Sequence, residues 1–373
     1  PIPNCKAILT NKKQIFFFSD LRKIKNLKKN KYYKKIKFCN ENDFFKVLNL
    51  LQGKTFSIDK STCSQFHENL IKSRFFIRET IDPCYLFKAI KNKIEIRNII
   101  KTHIYDGVAL TKFLYWIKNK KKMKLSELNV EKKLNYFRKK NKNYKYPSFN
   151  SIVGSGPNGS IIHYRANKNT NRKIKKKDLL LIDSGGQYNF GTTDVTRTIS
   201  FMKQHNHIKN IFTRVLQGHI AVATSNLNSK ITGSYLDQKA RKYLKEVNLD
   251  YPHSTGHGVG YFLNVHEGPV SISKFCNKPI LAGMVMSNEP GYYKKNKFGI
   301  RIENLIYVKR KKNTKFFENL TMAPIDKDLI ETRMLNKNEK KWLNQYHHKV
   351  FKNLKNFMSI SEKIELKKAC STI

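Results

Sequence analysis

The alternation of apolar and polar residues separates a strand-rich N-terminal part from a longer mixed part. Residues 1 to about 85 contain two short runs with strand character, QIFFFSD and KKIKFCN, and a helical stretch near ENDFFKVLNLLQG. This pattern predicts an α/β fragment that is too small to be a complete domain.

Helical spacing of apolar residues is the main signal in the rest of the chain. It predicts three helices, at about residues 91–118, 126–142 and 206–224. A fourth helix is predicted near TGSYLDQKARKYL, where Ser234 and Asp237 have capping-box spacing. The lysine-rich residues 325–373 are also helical in pattern, most clearly in KNEKKWLNQYHHKVFKNL.

Two glycine-rich stretches follow pairs of helices, at residues 148–164 and 252–269. Each precedes a stretch with acids embedded in strand-like sequence, LLLIDSGGQYNFGTTDVTRT and GMVMSNEPGYYKKNKFGIRIENLIYV. The order of two helices, a glycine-rich strand and an acid-bearing hairpin therefore occurs twice. This repetition predicts two structurally related halves that face each other.

The two acids of the first hairpin are Asp183 and Asp194. If the hairpin turns at Tyr188 and Asn189, these acids lie directly opposite each other, with Cβ atoms about 5 Å apart. Like charges at this distance are destabilising unless something neutralises them, and a cation is the simplest remedy.

The second hairpin repeats the arrangement, because Glu289 and Glu303 are symmetric about Asn296. Four carboxylates converging on one small dry volume require metal ions or protons. His257, in TGHG, adds one nitrogen ligand, and an oxygen-rich set with a single imidazole suits manganese or a similar divalent ion. The alternative is that each acid is an ordinary edge-strand residue paired with one of the many lysines.

Charge and cysteine content affect the expected partners and compartment. The formal net charge is +47, but the lysines are spread along the chain, which favours solvated faces over a specific nucleic-acid site. No apolar stretch approaches the roughly 18 residues of a membrane span, so we expect no membrane association. The six cysteines show no CxxC spacing, which favours reduced thiols in the cytoplasm. Because the chain begins with Pro1 and shows no secretory signal, we expect the natural N-terminus to be missing.

Five separated motifs carry a resemblance to a known family. They are LLLIDSGGQY, GTTDVTRT, STGHGVGYFLNVHEGP, GMVMSNEPGYY and FGIRIENL. In this order they resemble the pita-bread metallopeptidases, and within these the cytosolic type of aminopeptidase P (Xaa-Pro aminopeptidase). The match begins at about residue 85.

The resemblance implies an α+β fold. We expect a partial creatinase-like α/β domain at 1–85, a pita-bread catalytic domain with pseudo-twofold halves at 86–325, and a C-terminal helical extension at 326–373. The first domain of the family and the start of its second are expected to be absent.

The resemblance also implies a site with two divalent metal ions, expected to be Mn²⁺. Its ligands would be Asp183, Asp194, His257, Glu289 and Glu303. Asp194 and Glu303 would bridge both ions, His257 and Glu289 would complete one, and Asp183 the other. Arg301 would lie beside the bridging glutamate.

The implied reaction is hydrolysis of the N-terminal Xaa-Pro peptide bond by a hydroxide that both metal ions hold. Glu289 would take the proton of the nucleophile and return it to the leaving nitrogen. His266 would donate to the oxyanion, with His163 assisting. His253, His163 and His266 would bind substrate, and Tyr261 and Tyr292 are our candidates for lining a proline pocket with His253.

Alternative functions stay open at this stage. The same fold includes prolidases, methionine aminopeptidases and non-catalytic modules that bind protein or nucleic acid. Each histidine considered alone is about as consistent with a satisfied polar core residue as with catalysis. The expected partners are peptides with proline in the second position, and a homodimer is possible.

Overall fold

The computed structural model describes residues 4–119 and 124–373 of the chain. These residues form two compact units, Pro1–Pro83 and Cys84–Ile373. Both units mix helices with small sheets, so the predicted α+β class is confirmed. Among the residues that the structure describes, no helix is both long and apolar enough to cross a membrane.

The first unit is built from five strands and three helices. They are β1 (Cys5–Leu9), β2 (Ile15–Ser19), α1 (Lys25–Lys28), β3 (Ile36–Cys39), α2 (Phe44–Leu50), β4 (Thr55–Ile58), α3 (Gln65–Lys72) and β5 (Phe76–Glu79). Strands β1, β2 and β3 form one sheet, and β4 pairs with β5 in parallel. Phe18, Leu48 and Ile71 lie in its apolar core. The two predicted strands and the predicted helix are confirmed as β2, β3 and α2.

The second unit begins with helices and then forms the first acid-bearing hairpin. Its elements are α4 (Pro83–Ala89), α5 (Lys93–Lys118), α6 (Glu127–Lys139), β6 (Tyr144–Pro147), β7 (Ile152–Ser155), β8 (Leu180–Ser184), β9 (Gly186–Tyr188), β10 (Gly191–Thr192) and β11 (Val195–Ile199). Strand β8 lies between β7 and β11, and β9 lies between β6 and β10. The predicted helices at 91–118 and 126–142 correspond to α5 and α6.

A second series follows in the same order. It comprises α7 (Asn206–Ala223), α8 (Gly233–Lys245), β12 (Gly256–His257), β13 (Ser271–Ile272), β14 (Val285–Asn288), β15 (Gly291–Lys294), β16 (Phe298–Arg301), β17 (Asn304–Lys311) and β18 (Thr314–Asn319), before the final helices α9 (Lys337–Leu354) and α10 (Ile360–Ala369). Helix pairs therefore precede acid-bearing hairpins twice, as predicted.

The start of helix α8 differs from the prediction. The N-cap is Thr232, whose hydroxyl accepts a hydrogen bond from the backbone N–H of Tyr235. The capping box predicted for Ser234 and Asp237 is therefore wrong. The Asp237 carboxylate instead accepts a hydrogen bond from Arg241 at 2.8 Å, one helical turn further along.

The register of the first hairpin also differs from the prediction. Asp183 is paired with Thr196, and Gly191 is paired with Tyr188, so the turn lies at Asn189 and Phe190. Asp183 and Asp194 are therefore diagonal neighbours rather than directly opposed. Because strand side chains alternate with a period of two, this shift of two residues leaves both carboxylates on one face.

The second hairpin has the predicted register. Asn288 is paired with Asn304, and Gly291 with Arg301. Glu289 and Glu303 lie opposite each other between these two pairs. The turn contains Asn296, whose φ of 57° lies in the left-handed region that asparagine tolerates better than most residues.

The C-terminal helix α9 belongs to the largest core of the second unit. Its residues Leu343, Tyr346 and Val350 are buried in one cluster with Phe212 and Leu216 of α7. The apolar residues whose spacing predicted this helix form the face that packs against the rest of the unit.

Candidate metal centre

The five predicted metal ligands come from strand ends and one short strand. Asp183 lies on β8 and Asp194 between β10 and β11; Glu289 follows β14, and Glu303 precedes β17. His257 lies on β12, and the next residue, Gly258, forms an isolated bridge to Met286 of β14. The two acid-bearing hairpins and β12 thus place every predicted ligand in the second unit.

Two short contacts and one compact group of potential ligand atoms bring these side chains together. The Nε2 atom of His257 lies 3.4 Å from Oδ2 of Asp194 and 3.3 Å from Oε1 of Glu289. Asp194, His257 and Glu303 each place a potential ligand atom within 4.8 Å of the others. Asp194, His257, Glu289 and Glu303 therefore lie close together, with Asp194 and Glu303 buried and His257 and Glu289 half-buried.

Asp183 is connected to Glu303 through two intervening side chains. Arg301 donates from Nη2 to Oδ2 of Asp183 at 2.6 Å and from Nε to the hydroxyl of Thr196 at 3.2 Å. That hydroxyl in turn donates to Oε2 of Glu303 at 2.8 Å. Thr196 was missed in the sequence, although the true register places it directly opposite Asp183.

Burial and mutual repulsion shift the pKa values of the acids. Burial raises the pKa of Glu303 well above its ordinary value, and the charges of Asp194, Glu289 and Asp183 add to the effect. Burial also raises the pKa of Asp194 to about 7, and the charges of Asp183 and Glu289 act in the same direction. The contact with His257 lowers this pKa but does not cancel the rise. Ionising all four acids therefore requires positive charge within the cluster.

With protein groups alone, His257 provides that positive charge. Burial lowers its pKa, but hydrogen bonds to Asp194 and Glu289 outweigh burial and raise the pKa of His257 to about 10. A pKa of His257 raised by two carboxylates shows that this volume has a strongly negative potential. This electrostatic arrangement is the one expected of a cation site.

The orphaned oxygens of the cluster also fit a metal centre. Oδ1 of Asp183 and Oε1 of Glu303 are buried and have no hydrogen-bond partner in the described part of the chain. Buried carboxylate oxygens are rarely left in this state, because each loses its hydration. Together with the donor set of four carboxylates and one imidazole, they fit hard or borderline divalent cations.

Ser287 links two of the candidate ligands. Its hydroxyl accepts a hydrogen bond from the backbone N–H of His257 at 2.9 Å and donates to Oε1 of Glu289 at 2.9 Å. One side chain thus fixes both the strand that carries the imidazole and the orientation of the carboxylate. Its place two residues before Glu289, on the same face of the strand, is the signal that could have identified it.

The three predicted substrate histidines lie around this cluster. The rings of His266 and His257 have centroids 4.0 Å apart. Burial lowers the pKa of His266, His257 lowers it further, and the nearby His163 adds a smaller effect in the same direction. Both His163 and His266 are exposed, so their imidazoles are accessible from outside the cluster.

His253 contacts a tyrosine that the sequence analysis did not single out. Its Nε2 atom lies 2.9 Å from the hydroxyl of Tyr293, which also accepts a hydrogen bond from Arg301. Tyr292 is instead buried in the core, and the hydroxyl of Tyr261 accepts from Asn98 at 3.1 Å. The placement of Tyr261 and Tyr292 in a proline pocket with His253 stays a prediction.

Two anchors hold the loops that carry the histidines. Arg241 of α8 donates to the backbone carbonyl of His253 at 2.6 Å. The side-chain amide of Gln187 donates to the carbonyl of Leu263 at 2.8 Å and accepts from its N–H at 3.1 Å. Leu263 has a φ of 73°, so this pair of bonds holds the loop before His266 in a strained conformation.

Comparison with known proteins agrees with this geometry. The profile of Metallopeptidase family M24 matches residues 97–310, and that of the C-terminal region of peptidase M24 matches residues 315–373. The chain belongs to metallopeptidase family M24. The resemblance found in the five motifs is therefore confirmed, and with it the pita-bread fold.

Curated M24 relatives include proteins named probable Xaa-Pro aminopeptidase P. The protein from Laccaria bicolor is 46% identical over 278 residues, covering 71% of this chain and 43% of that protein. The protein from Coccidioides posadasii is 42% identical over 300 residues, covering 77% of this chain and 49% of that protein. The chain thus spans about half the length of these relatives.

Solved M24 structures show the same fold. X-prolyl aminopeptidase from Caenorhabditis elegans, described as a cytosolic enzyme with a di-nuclear active site, has a TM-score of 0.90 and 28% identity. The alignment covers 100% of this chain and 64% of that one. Prolidase from Pyrococcus furiosus has a TM-score of 0.68 and 25% identity, with 84% of this chain and 88% of that chain covered.

Proposed function

We propose that this chain carries the catalytic centre of a metal-dependent Xaa-Pro aminopeptidase, which releases the N-terminal residue from peptides with proline second. The convergence of Asp183, Asp194, His257, Glu289 and Glu303 in one buried volume carries the proposal. The names of the curated relatives and of the C. elegans enzyme support the substrate class.

The five residues would hold two divalent cations, with Asp194 and Glu303 shared between them. When bound, two such ions supply acidified water at neutral pH and polarise the scissile carbonyl. Manganese is our specific expectation, because four carboxylates with a single imidazole suit it. Two observations support a site that binds cations. The pKa values of Asp194 and Glu303 are raised, and one carboxylate oxygen each of Asp183 and Glu303 is buried without a hydrogen-bond partner in the described residues.

The remaining roles belong to groups of this chain. Glu289 accepts a proton from the attacking water as the water oxygen bonds to the carbonyl carbon. It then transfers that proton to the proline nitrogen as the carbon–nitrogen bond breaks. His266 donates to the developing oxyanion, and His163 assists. His253 binds the proline side of the substrate, and its contacts with Tyr251 and Tyr293 supply an aromatic wall.

Several further assignments remain predictions. We assign residues 1–85 to a partial creatinase-like domain, 86–325 to the catalytic domain and 326–373 to the C-terminal extension, which the compact units and the family profiles support. The six free cysteines and the cytosolic C. elegans enzyme support a cytoplasmic location. A homodimer and the lack of a specific nucleic-acid partner are expectations from the sequence.

Peptide hydrolysis and metal content test the proposal together. The full chain, dialysed with Mn²⁺, should contain about two ions per molecule and should cleave a tripeptide with proline second. A tripeptide with alanine second and an Xaa-Pro dipeptide separate this activity from a general aminopeptidase and from a prolidase. Protein that binds no ion at neutral pH with Mn²⁺ supplied would contradict the proposal.

A matched pair of variants localises the activity. Asp194→Asn removes a shared ligand at almost constant volume, so we expect turnover to be abolished. Asp328→Asn changes an exposed acid that pairs with Lys118, and its turnover should equal that of the unmodified protein. Full turnover in the Asp194 variant would show that the ligand assignment is wrong.

A further inference from the structure

Arg197 is a buried arginine, 2% exposed, that lies behind the candidate metal centre. Every hydrogen bond of its guanidinium goes to an uncharged oxygen. The acceptors are the carbonyls of Pro324, Thr196, Glu303 and Ala323, the side-chain oxygen of Asn304 and the hydroxyl of Tyr346. Within the described residues it forms no ion pair with a carboxylate. A buried charge held only by dipoles depends on all of them being in place.

The guanidinium holds the carbonyl of Glu303 and the side chain of the next residue. Its Nη1 atom donates to the carbonyl of Glu303 at 2.6 Å and to that of Thr196 at 2.8 Å. Those two residues also bond each other, because the N–H of Glu303 donates to the carbonyl of Thr196 at 3.2 Å. Nη2 reaches the next residue, Asn304, at 2.8 Å. Arg197 therefore fixes the segment from which the Glu303 carboxylate projects.

Tyr346, on α9, completes the shell around Arg197. Its hydroxyl accepts from Nη2 at 2.9 Å and donates to the carbonyl of Ala323 at 2.8 Å. The ring is 4% exposed and stacks on Trp342 with an angle of 4° between planes. The hydroxyl is thus held rigidly by the C-terminal helix.

We infer that Tyr346 is a positioning residue that acts through Arg197 on Glu303, so that helix α9 sets the metal affinity of the centre. The inference rests on the proposed function, because Glu303 is a ligand only there. Without the hydroxyl, Arg197 loses an acceptor that no water can easily replace in this dry surrounding. The guanidinium then shifts, and the Glu303 segment loses its fixed orientation. Groups that orient a metal ligand commonly change affinity about 10- to 100-fold when altered.

Tyr346→Phe in the full chain tests this inference. Calorimetric titration with Mn²⁺ should show binding at least about tenfold weaker than in the unmodified protein. The same variant should show a smaller increase of its unfolding midpoint on addition of Mn²⁺. If Tyr346 had a purely structural role, the variant's unfolding midpoint would be lowered by the same amount with and without Mn²⁺. The increase of the midpoint on addition of Mn²⁺ therefore separates the two roles.

Two controls match the change. Tyr307→Phe removes another buried tyrosine hydroxyl, which donates to Glu318 at 3.3 Å and lies on the same strand as Asn304. Phe351→Leu disturbs the packing of α9 without removing a group of the Arg197 shell or a ring that stacks on Tyr346. Both controls should bind Mn²⁺ as the unmodified protein does.

The outcomes separate this inference from the proposed function. If the unmodified protein binds Mn²⁺ and the Tyr346 variant binds it equally well, the inference is overturned and the proposed function stands. If the unmodified protein binds no Mn²⁺, both are overturned. If Tyr346→Phe fails to fold, Arg197→Lys replaces it as the test. This variant keeps the positive charge but loses the planar fork of donors, and it should also bind Mn²⁺ at least about tenfold more weakly.

Discussion

Arg301 on β16 donates to Asp183 on β8 across 2.6 Å, and so joins the second acid-bearing hairpin to the first. The arginine is 2% exposed and also contacts Thr196 and Tyr293. Its planar fork of donors matches these separate acceptors in a way that a lysine ammonium does not. The two halves of the pseudo-twofold unit are therefore connected directly behind the candidate ligands.

Replacing this arginine should impair the centre although the charge is kept. We expect Arg301→Lys to lower kcat/KM by about 10- to 100-fold, because Asp183 loses its fixed orientation. Hydrolysis of a tripeptide with proline second measures this. Arg310→Lys, an exposed change on β17, is the control and should leave kcat/KM unchanged.

The hydroxyl of Ser287 makes a second prediction. Ser287→Ala removes both of its contacts, to the His257 backbone and to Glu289, and should lower kcat/KM about tenfold. Ser287→Thr keeps a hydroxyl on the same carbon and should retain most of the activity. Equal activity of the alanine and threonine variants would show that the hydroxyl does not orient the ligands.

Tyr293 makes a third prediction, which concerns substrate binding. Tyr293→Phe removes the hydroxyl that contacts His253, so KM for Xaa-Pro peptides should rise by about fivefold, with a smaller change in kcat. Steady-state kinetics on a peptide series measures both constants. Tyr292→Phe changes the neighbouring tyrosine in the core, and we expect it to leave KM unaltered.

The buried pair of Asp106 and Arg138 makes a fourth prediction, on stability. Burial raises the pKa of Asp106, but Arg138 and the hydroxyl of Tyr188 outweigh it, so the pKa of Asp106 is lowered. A lowered folded pKa contributes stability that is complete above the ordinary value of about 4 and is lost as the pH falls through the folded pKa.

Asp106→Asn should therefore reduce the free energy of unfolding by about 3 kcal/mol at pH 7, because Arg138 keeps a buried charge without its partner. Urea unfolding measures the difference, which should shrink as the pH is lowered below about 4. Asp328→Asn, at an exposed site, should change the free energy by less than about 0.5 kcal/mol. A difference between Asp106→Asn and the unmodified protein that stays constant down to low pH would contradict the assignment.

Part of the centre was predictable from the sequence because the symmetry of a hairpin about its turn indicates which residues lie opposite each other. Residue spacing alone does not indicate this. Glu289 and Glu303 are equidistant from Asn296, and the turn forms there, so their opposition was predictable. In the first hairpin the turn lies one residue further along, at Asn189 and Phe190, where Gly191 adopts a φ of 155°. A shift of two residues leaves Asp183 and Asp194 on the same face of the hairpin, so this face was predictable. The direct pairing of Asp183 with Asp194 changes with the shift, so the pairing was not predictable.

Contacts between distant segments were harder to predict. Tyr293 has the same strand parity as Glu289, and this alternation favours it over Tyr292 as the tyrosine facing the centre. The helix start at Thr232 was missed because Ser234 is an equally good capping residue by type. The Asp237 carboxylate is instead engaged by Arg241 one turn later and by the hydroxyl of Thr255 from a distant segment. Apart from Thr196, the partners of Arg197 come from segments far along the chain and leave no local pattern.

The distance along the chain between Arg197 and Tyr346 has a consequence for biosynthesis. The two residues are 149 positions apart, and the hydroxyl is supplied by the later one. At typical elongation rates, translation needs on the order of ten seconds to proceed from one to the other. A nascent polypeptide therefore leaves the ribosome tunnel with its guanidinium only partly satisfied, and the candidate metal centre is completed after α9 has been synthesised.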